Sequence, residues 1–304
     1  LRAAGIPALW LKGAALAHTV YPEPALRPMA DLDVLVPYEQ RERALAIVQG
    51  LGYDFYSLHG IRTRSSGDDL ALKLSAHHYH LRGGVSNAVI LELHSRLLGS
   101  DDRLLSLVQL DWFWAHTETI RAGEGWAFDT LTPEAHLLYG CAHAILQHGE
   151  AQLYLLRFFD LHQIVTRTAL DWPLIVDQAV ALGWTLAVER ALRRCMAFFA
   201  TPVPAEALEA LVARRPAHEH AVRVIRLQGP GHRWERLRDK LGQLSPRERA
   251  QYVFSVLLPS PSYMRQRYPI RPGWPTWPYY FYRWWDQGRD VAWATWKRLT
   301  RRYG

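Results

Sequence analysis

Two kinds of hydrophobic pattern divide most of the chain. Up to about residue 128, short apolar runs alternate with amphipathic segments, as strands and helices do when they share a domain. From residue 129 to about 258, apolar positions recur at helical spacing, which predicts a helical domain. The predicted elements of the first region are a strand at 6–11, a helix at 12–21, a strand at 31–37, a helix at 38–52, strands at 69–81 and 88–94, and a hairpin turning at Gly123–Gly125.

Capping residues mark two of the helices in the second region. Thr132 is predicted as an N-cap, with Pro133 at the first helical position. Asp171 is predicted to cap the helix that contains Pro173, and Gly183 is predicted to end it.

Residues 259–304 form a third segment, which is rich in proline, aromatic residues and arginine. Prolines interrupt any helix up to residue 288, and a last helix is predicted at about 289–302. The simplest interpretation is packing against the helical domain. The interleaved Trp and Arg residues also fit an anionic membrane surface, which stays open as an alternative, whereas nucleic acid is not expected as a partner.

The composition indicates which class of partner and which cellular compartment to expect. The 304 residues carry a net charge of +7, which favours anionic partners such as nucleotides or anionic lipid. Two cysteines in apolar helical patterns fit a reducing cytoplasm. No apolar run approaches the ~18–20 residues that cross a bilayer, and no signal peptide is evident. Because a strand follows Leu1 almost at once, we expect residues before it to be missing.

Two aspartates stand at the start of the apolar strand in "LRPMADLDVLVP". Side chains alternate along a strand, so Asp31 and Asp33 face the same way, with Cα atoms roughly 6.5–7 Å apart. Two anions on one face are stabilised by a divalent cation, and carboxylate oxygens suit Mg²⁺. The alternative is a capping or solvent-exposed pair.

Other charged residues extend this candidate site. Glu92 interrupts the apolar strand in "VILELHSRL", and a buried glutamate there is rare without a partner. The unit "WLKGAAL" predicts a strand followed by a helix whose N-terminus can receive phosphate. Lys12, Gly13 and Arg27 are therefore candidate nucleotide-binding residues, although Lys12 would also fit a solvated helix start and Arg27 a neutralising role.

These segments together resemble a known family. The chain is similar to the nucleotidyltransferases of the DNA polymerase beta superfamily, and within it to the bacterial "nucleotidyltransferase family protein" group. The similarity lies in "LKGAAL", "YPEPALRPMADLDVLV", "LELHSRL", "LTPEAHLLYGCAHAI", "LRFFDLHQIV" and "LPSPSYMRQRYP". It covers most of the chain, and the motifs are specific in combination though individually weak.

The resemblance implies an α+β fold, with a small mixed β-sheet in a nucleotidyltransferase domain at 1–128 and an α-helical domain behind it. It assigns Asp31, Asp33 and Glu92 as ligands of two Mg²⁺ ions, with Glu92 also a candidate general base. The metals would orient a nucleoside triphosphate, foremost ATP, for attack by an acceptor hydroxyl and release of pyrophosphate. The acceptor is a small metabolite, a sugar, a peptide or a protein.

Histidines and one arginine are further candidates. His78 and His80 share a strand face by alternation, and the resembling family also carries histidine on this strand and in its "LELH" motif, here His94. We expect these three to lie near the nucleotide, the acceptor or the catalytic residues, and the alternative is that they are solvent-exposed or hydrogen-bonded histidines. A structural zinc site at His77, His78 and His80 is not expected, because no zinc motif accompanies them. Arg157 either pairs with Asp160, three residues on, or reaches a phosphate.

One departure from the family pattern keeps a second function open. Ala14 follows Gly13 where the superfamily has Ser or Gly, and the gap from Gly13 to Asp31 is longer than usual. Both features count against binding of a triphosphate, and the missing Ser or Gly favours a catalytically inactive module that binds a nucleotide or partner, with or without peripheral membrane attachment. Because all three acids are present, we predict a cytoplasmic, bacterial, Mg²⁺-dependent nucleotidyltransferase.

Overall fold

A computed structural model gives the conformation of most of the chain. It describes residues 1–55, 78–83, 89–98, 107–123, 125–148, 154–219, 221–222, 225, 238, 241–242, 245–261, 264–265, 268–271, 273–285 and 289. The described residues up to Gly242, except Phe55, belong to one compact unit, and those from Ser245 onward belong to a second.

The strands form one mixed sheet, as the resemblance implied. They are β1 (Leu9–Leu11), β2 (Leu32–Leu35), β3 (Asp54–Phe55), β4 (His78–Gly83), β5 (Val89–His94), β6 (Thr117–Arg121) and β7 (Ala127–Leu131). Their order across the sheet is β3-β4-β5-β2-β1-β7-β6. β2 runs parallel to β5 and β1 parallel to β7, whereas β1–β2, β4–β5 and β6–β7 are antiparallel. The α+β class is thereby confirmed.

The helices follow the predicted division of the chain. They are α1 (Lys12–Thr19), α2 (Arg41–Gly50), α3 (Leu107–Ala115), α4 (Pro133–Ala142), α5 (Leu155–Arg167), α6 (Trp172–Leu182), α7 (Thr185–Phe199), α8 (Ala205–Ala213) and α9 (Pro246–Leu257). Helix α4 continues directly into a π-helical turn at His143–Gln147. Residues 277–285 are also helical.

Several local predictions can be compared with the structure. Asp171 caps α6 by accepting a hydrogen bond from the backbone N–H of Leu174 at 3.0 Å, and Gly183 ends the helix with a φ of 65°. Thr132 occupies the N-cap of α4, but its side chain makes no capping hydrogen bond. β6 and β7 form the predicted hairpin. Most of the predicted strand at 69–81 and of the terminal helix at 289–302 lies outside the described residues.

One hydrophobic core joins the sheet to the helices. Leu9, Leu11 and Leu35 of the sheet belong to the same cluster of buried residues as side chains from α4 to α8. Leu11 pairs with Asp33 across β1 and β2, which places Asp33 on the face of the sheet that the core covers. This core is continuous across residue 128, and the predicted domain boundaries at 128 and 258 stay predictions.

None of the described helices combines the length and the apolar character that crossing a bilayer requires.

A buried histidine in α4 gives a prediction for the pH dependence of stability. His136 is 4% exposed, and its Nε2 has no hydrogen-bond partner. Burial lowers the pKa of His136 to about 4, although a hydrogen bond with the backbone of Leu131 works in the opposite direction. Between about pH 6.5 and pH 4 the unfolded chain therefore binds a proton that the folded chain excludes. The contribution of His136 to the free energy of unfolding is therefore fully present above about pH 6.5 and is lost as the pH falls toward 4.

We predict that His136→Gln removes this dependence. Between pH 7 and pH 4.5 the free energy of unfolding of the wild type should fall by about 2–3 kcal/mol more than that of the variant, because only the wild-type histidine must stay neutral. Urea denaturation at a series of pH values measures both. Parallel curves for the two proteins would contradict the prediction.

Candidate active site

Acidic side chains line up across neighbouring strands at one end of the sheet. Asp33 of β2 lies directly beside Glu92 of the parallel strand β5, and His80 of β4 lies on the other side of Glu92. Directly paired residues point to the same face of a sheet. The predicted meeting of Asp33 with Glu92 is therefore a consequence of strand register.

Lys12 provides a cation for this cluster. Its Nζ donates a hydrogen bond to Oδ1 of Asp33 at 2.6 Å and lies 3.9 Å from Oε2 of Glu92. Burial alone would lower the pKa of Lys12, but the effects of Tyr139, Asp33 and Glu92 outweigh it and raise that pKa. Lys12 is therefore a cation at neutral pH.

The backbone at Lys12 is strained. Its φ of 48° lies in the left-handed region, which is costly for a residue with a side chain. This residue joins the end of β1 to the start of α1, so the unusual conformation helps to direct its side chain toward β2. The strain at this position is consistent with a functional constraint.

His94 is the second group that bonds Asp33. Its side chain is fully buried at the end of β5, and its Nε2 lies 2.8 Å from Oδ1 of Asp33 and 3.4 Å from Oε2 of Glu92. Its Nδ1 lies 3.3 Å from the backbone carbonyl of Arg96. Burial and the charge of Lys12 lower the pKa of His94, but hydrogen bonds to the two carboxylates prevail and raise it. Both ring nitrogens face acceptors, as in an imidazolium.

Asp31 lies just before β2 and is exposed. Partial loss of water raises the pKa of Asp31, and the negative charges of Asp33 and Glu92 raise it further, while Lys12 and Arg27 act in the opposite direction. The three predicted acids are thus close enough to influence one another. This accumulation of negative charge is what a bound cation would relieve.

The donor set fits a metal ion. Among the described residues, ligand atoms of Asp33, Glu92 and His94 lie within 4.8 Å of one another. Asp31 is not part of that group, whose third member is His94 instead. The two carboxylates, with Asp31 nearby, suit a hard divalent cation such as Mg²⁺, whereas an imidazole is a poorer ligand for it. The assignment of Asp31 as a metal ligand stays a prediction.

Arg27 is bound to the helical part of the unit. Its Nε and Nη2 donate to the two carboxylate oxygens of Asp160 in α5, at 3.0 and 2.8 Å, and the hydroxyl of Tyr21 donates to Asp160 at 2.7 Å. A Cβ at Gly13 would lie 2.8 Å from Nη1 of Arg27, so the glycine permits this close approach. Asp160 thus pairs with Arg27, and not with Arg157 as one interpretation of the sequence had it.

The remaining candidates lie around the acids to different extents. Nδ1 of His80 is 3.1 Å from Oε1 of Glu92. His78 pairs with His94 across β4 and β5, but its side chain lies outside the described residues. Arg157 is half-buried in α5, its guanidinium lies over the ring of Tyr154, and its Nη1 has no hydrogen-bond partner. Burial lowers the pKa of Arg157, and the interactions with Tyr154 and Asp31 offset only part of that effect.

The structure adds Tyr139 and His148, which the sequence did not single out. Tyr139 of α4 is buried, and its hydroxyl lies close enough to Lys12 for a side-chain hydrogen bond. His143 and His148 flank the π-helical turn with their Nε2 atoms 3.1 Å apart. Burial lowers the pKa of His148 to about 4, as do the charges of Arg157 and Lys12. A spacing of five residues matches the i→i+5 repeat of a π-helix, a form often found at functional sites.

Comparison with known proteins defines the class to which the chain belongs. A family model described as an uncharacterised nucleotidyltransferase matches residues 1–200. The chain is therefore a member of this nucleotidyltransferase family, which confirms the resemblance drawn from its motifs.

Other comparisons are more distant. An antigenic nucleotidyltransferase-like protein from Paracoccidioides brasiliensis aligns with a TM-score of 0.42 and 14% sequence identity, over 69% of this chain and 87% of that one. A likeness at this level does not bear on the residues of the site. No curated protein matches the chain.

The pair of Arg27 with Asp160 leads to a stability prediction. Asp160→Ala leaves the guanidinium of Arg27 without its anion in a largely buried place, so we expect the free energy of unfolding to fall by about 3–5 kcal/mol. The double variant Arg27→Met with Asp160→Leu removes both charges and should lose less. Urea denaturation compares the three proteins, and equal stability of Asp160→Ala and wild type would contradict the prediction.

Proposed function

We propose that the chain transfers a nucleoside monophosphate from a nucleoside triphosphate to a hydroxyl group of an acceptor, with release of pyrophosphate. Mg²⁺ is the proposed metal, in two ions, and ATP is the first nucleotide to test. The observation that carries the proposal is the register that sets Asp33 beside Glu92, with Lys12 and His94 bonded to Asp33. Membership of a nucleotidyltransferase family supports it.

Asp31, Asp33 and Glu92 are the residues proposed to hold the metal. A bound divalent cation would neutralise charge on phosphate oxygens and lower the pKa of the acceptor hydroxyl. Lys12 and His94 both bond Oδ1 of Asp33, and neither bonds Oδ2. Glu92 is proposed to accept the proton of the acceptor hydroxyl, since carboxylates commonly serve as general bases.

The start of α1 is proposed to bind phosphate. The ammonium of Lys12 carries a fixed positive charge, and backbone N–H groups at the helix N-terminus add donors in the same place. Gly13 is buried there, and any side chain at that position would collide with Arg27. Arg27 itself is proposed to act on the nucleotide through the position of this turn, because Asp160 occupies its guanidinium.

The acceptor is proposed to lie between the acids and the helical residues. His78 and His80 on β4 and Arg157 on α5 are the predicted contacts, and Arg157 has a buried Nη1 available for one. The positive charges of Arg157 and Lys12 both act on His148, which supports a basic character for the region where the acceptor is proposed to bind. Such a surface favours an uncharged or anionic acceptor over a polycationic one.

An inactive nucleotide- or partner-binding module is the second candidate function. The bond from Lys12 to Asp33 supports it, because a carboxylate that is already neutralised by the protein has less need of a metal. We propose a cytoplasmic protein in either case, and peripheral attachment to a membrane is compatible with both functions.

The proposed chemistry predicts which carboxylates matter. With each triphosphate labelled at its α-phosphate, Mg²⁺ and a cell extract as the source of acceptor, Asp33→Asn and Glu92→Gln should each lower label transfer by about 100-fold or more. Removal of Mg²⁺ with a chelator should abolish transfer. Asp129→Asn, a half-exposed aspartate on β7 of the same sheet, is the matched control and should transfer label at the wild-type rate.

Three results decide between the candidates. Transfer that persists in both site variants would refute the assignment of Asp33 and Glu92. If the wild type transfers nothing but binds a triphosphate in a Mg²⁺-dependent manner by calorimetry, the inactive module is the correct function. If it neither transfers nor binds any triphosphate, both candidates fail.

A further inference from the structure

The positive charge of the chain is concentrated at its C-terminal end. Residues 245–304 contain eleven Lys and Arg residues against three Asp and Glu residues, whereas the 244 residues before them contain 25 against 26. The whole excess of positive charge that gives the chain its net +7 therefore belongs to the last sixty residues. A segregation of this kind is typical of a surface that binds an anionic partner.

In the described part of this segment, polar side-chain atoms of the helical residues 277–285 bond backbone carbonyls at Val256, Leu257 and Pro259. The hydroxyl of Tyr280 donates to the backbone carbonyl of Pro259 at 2.5 Å, and Nη2 of Arg283 donates to that of Val256 at 3.2 Å. Nε1 of Trp284 donates to the carbonyl of Leu257 at 2.8 Å. These bonds fix one face of the helical residues 277–285 against the end of α9.

An adjoining face of this helix carries three large aromatic side chains. Trp277, Phe281 and Trp285 are spaced four residues apart, so they form one stripe along the helix. Their exposed fractions are 64%, 60% and 60%. We call these three residues the aromatic stripe. Exposing so much aromatic surface is unfavourable in water, which indicates a partner that takes it up.

Exposed arginines lie beside tryptophans of this segment. The guanidinium of Arg271 lies 5.5 Å from the ring centre of Trp274, and that of Arg289 lies 5.1 Å from the ring centre of Trp285. Arg265, Arg271 and Arg289 are all exposed. Tryptophan beside arginine suits the boundary between headgroups and acyl chains, where the ring is apolar on one side and the cation meets phosphate.

We propose that the aromatic stripe and its arginines dock on the surface of an anionic lipid bilayer. This surface goes beyond the proposed nucleotidyl transfer and does not depend on it. Charge complementarity identifies the partner: basic residues attract anionic headgroups, while the aromatic side chains enter the interface.

Nearby aliphatic side chains favour lipid over single-stranded nucleic acid. Val253, Leu257 and Leu258 at the end of α9 are 43%, 49% and 41% exposed. Aliphatic groups partition into lipid but offer no ring on which a base can stack. Arg289 also occupies one face of Trp285, which a stacked base would need.

Vesicle sedimentation with the full chain tests the proposal. The protein should pellet with vesicles of phosphatidylcholine mixed with phosphatidylserine, pellet at least about tenfold less with phosphatidylcholine alone, and lose binding as salt rises. Replacing all three residues of the aromatic stripe by serine should weaken binding to the mixed vesicles about tenfold or more. Arg265→Gln, Arg271→Gln and Arg289→Gln together should remove the preference for phosphatidylserine.

A matched triple variant controls for the loss of exposed apolar surface in general. Leu51→Ser, Trp126→Ser and Val212→Ser replace three exposed hydrophobic residues of the first unit and should leave vesicle binding unchanged. Circular dichroism verifies that each variant is folded. The proposal is overturned if the wild type ignores mixed vesicles, if the control triple weakens binding as much as the stripe variant, or if a single-stranded oligonucleotide binds while vesicles do not.

Discussion

Asp33 is a carboxylate that is only 3% exposed, and Lys12 and His94 both bond its Oδ1. Removing an isolated carboxylate from water costs several kcal/mol, and paired charges with good hydrogen bonds offset that cost. The two groups that bond Asp33 come from the start of α1 and the end of β5. The electrostatics of Asp33 thus tie together the elements that carry the other candidate residues.

The register of the strands decides which side chains lie next to Asp33. Because β2 and β5 are parallel neighbours, Asp33 and Glu92 come side by side although they are 59 positions apart in sequence, and the antiparallel β4 adds His80 to the same row. A shift of one residue in either pairing would turn one carboxylate to the opposite face of the sheet. The candidate site therefore depends on the same backbone hydrogen bonds that hold the sheet together.

The helical part of the first unit takes part in the site as well as in the core. Asp160 of α5 holds Arg27, and α4 brings Tyr139 close to Lys12 before its last turn widens into the π-helix between His143 and His148. The bond to Asp160 explains how Arg27 can stand beside Gly13 without leaving a buried charge uncompensated. The mixed sheet and these helices form one structure, in agreement with their shared hydrophobic core.

Much of this arrangement follows from the sequence alone. Capping chemistry predicts the ends of α6, and the motif set predicts a mixed sheet and a nucleotidyltransferase family. These properties depend on local backbone geometry or on the whole set of motifs. The partner of Arg27, the place of His94 beside Asp33 and the pairing of His143 with His148 were decided only by the tertiary structure. The first two features depend on packing between distant segments, and the third depends on the local widening of a helix. Neither cause leaves a periodic pattern in the sequence.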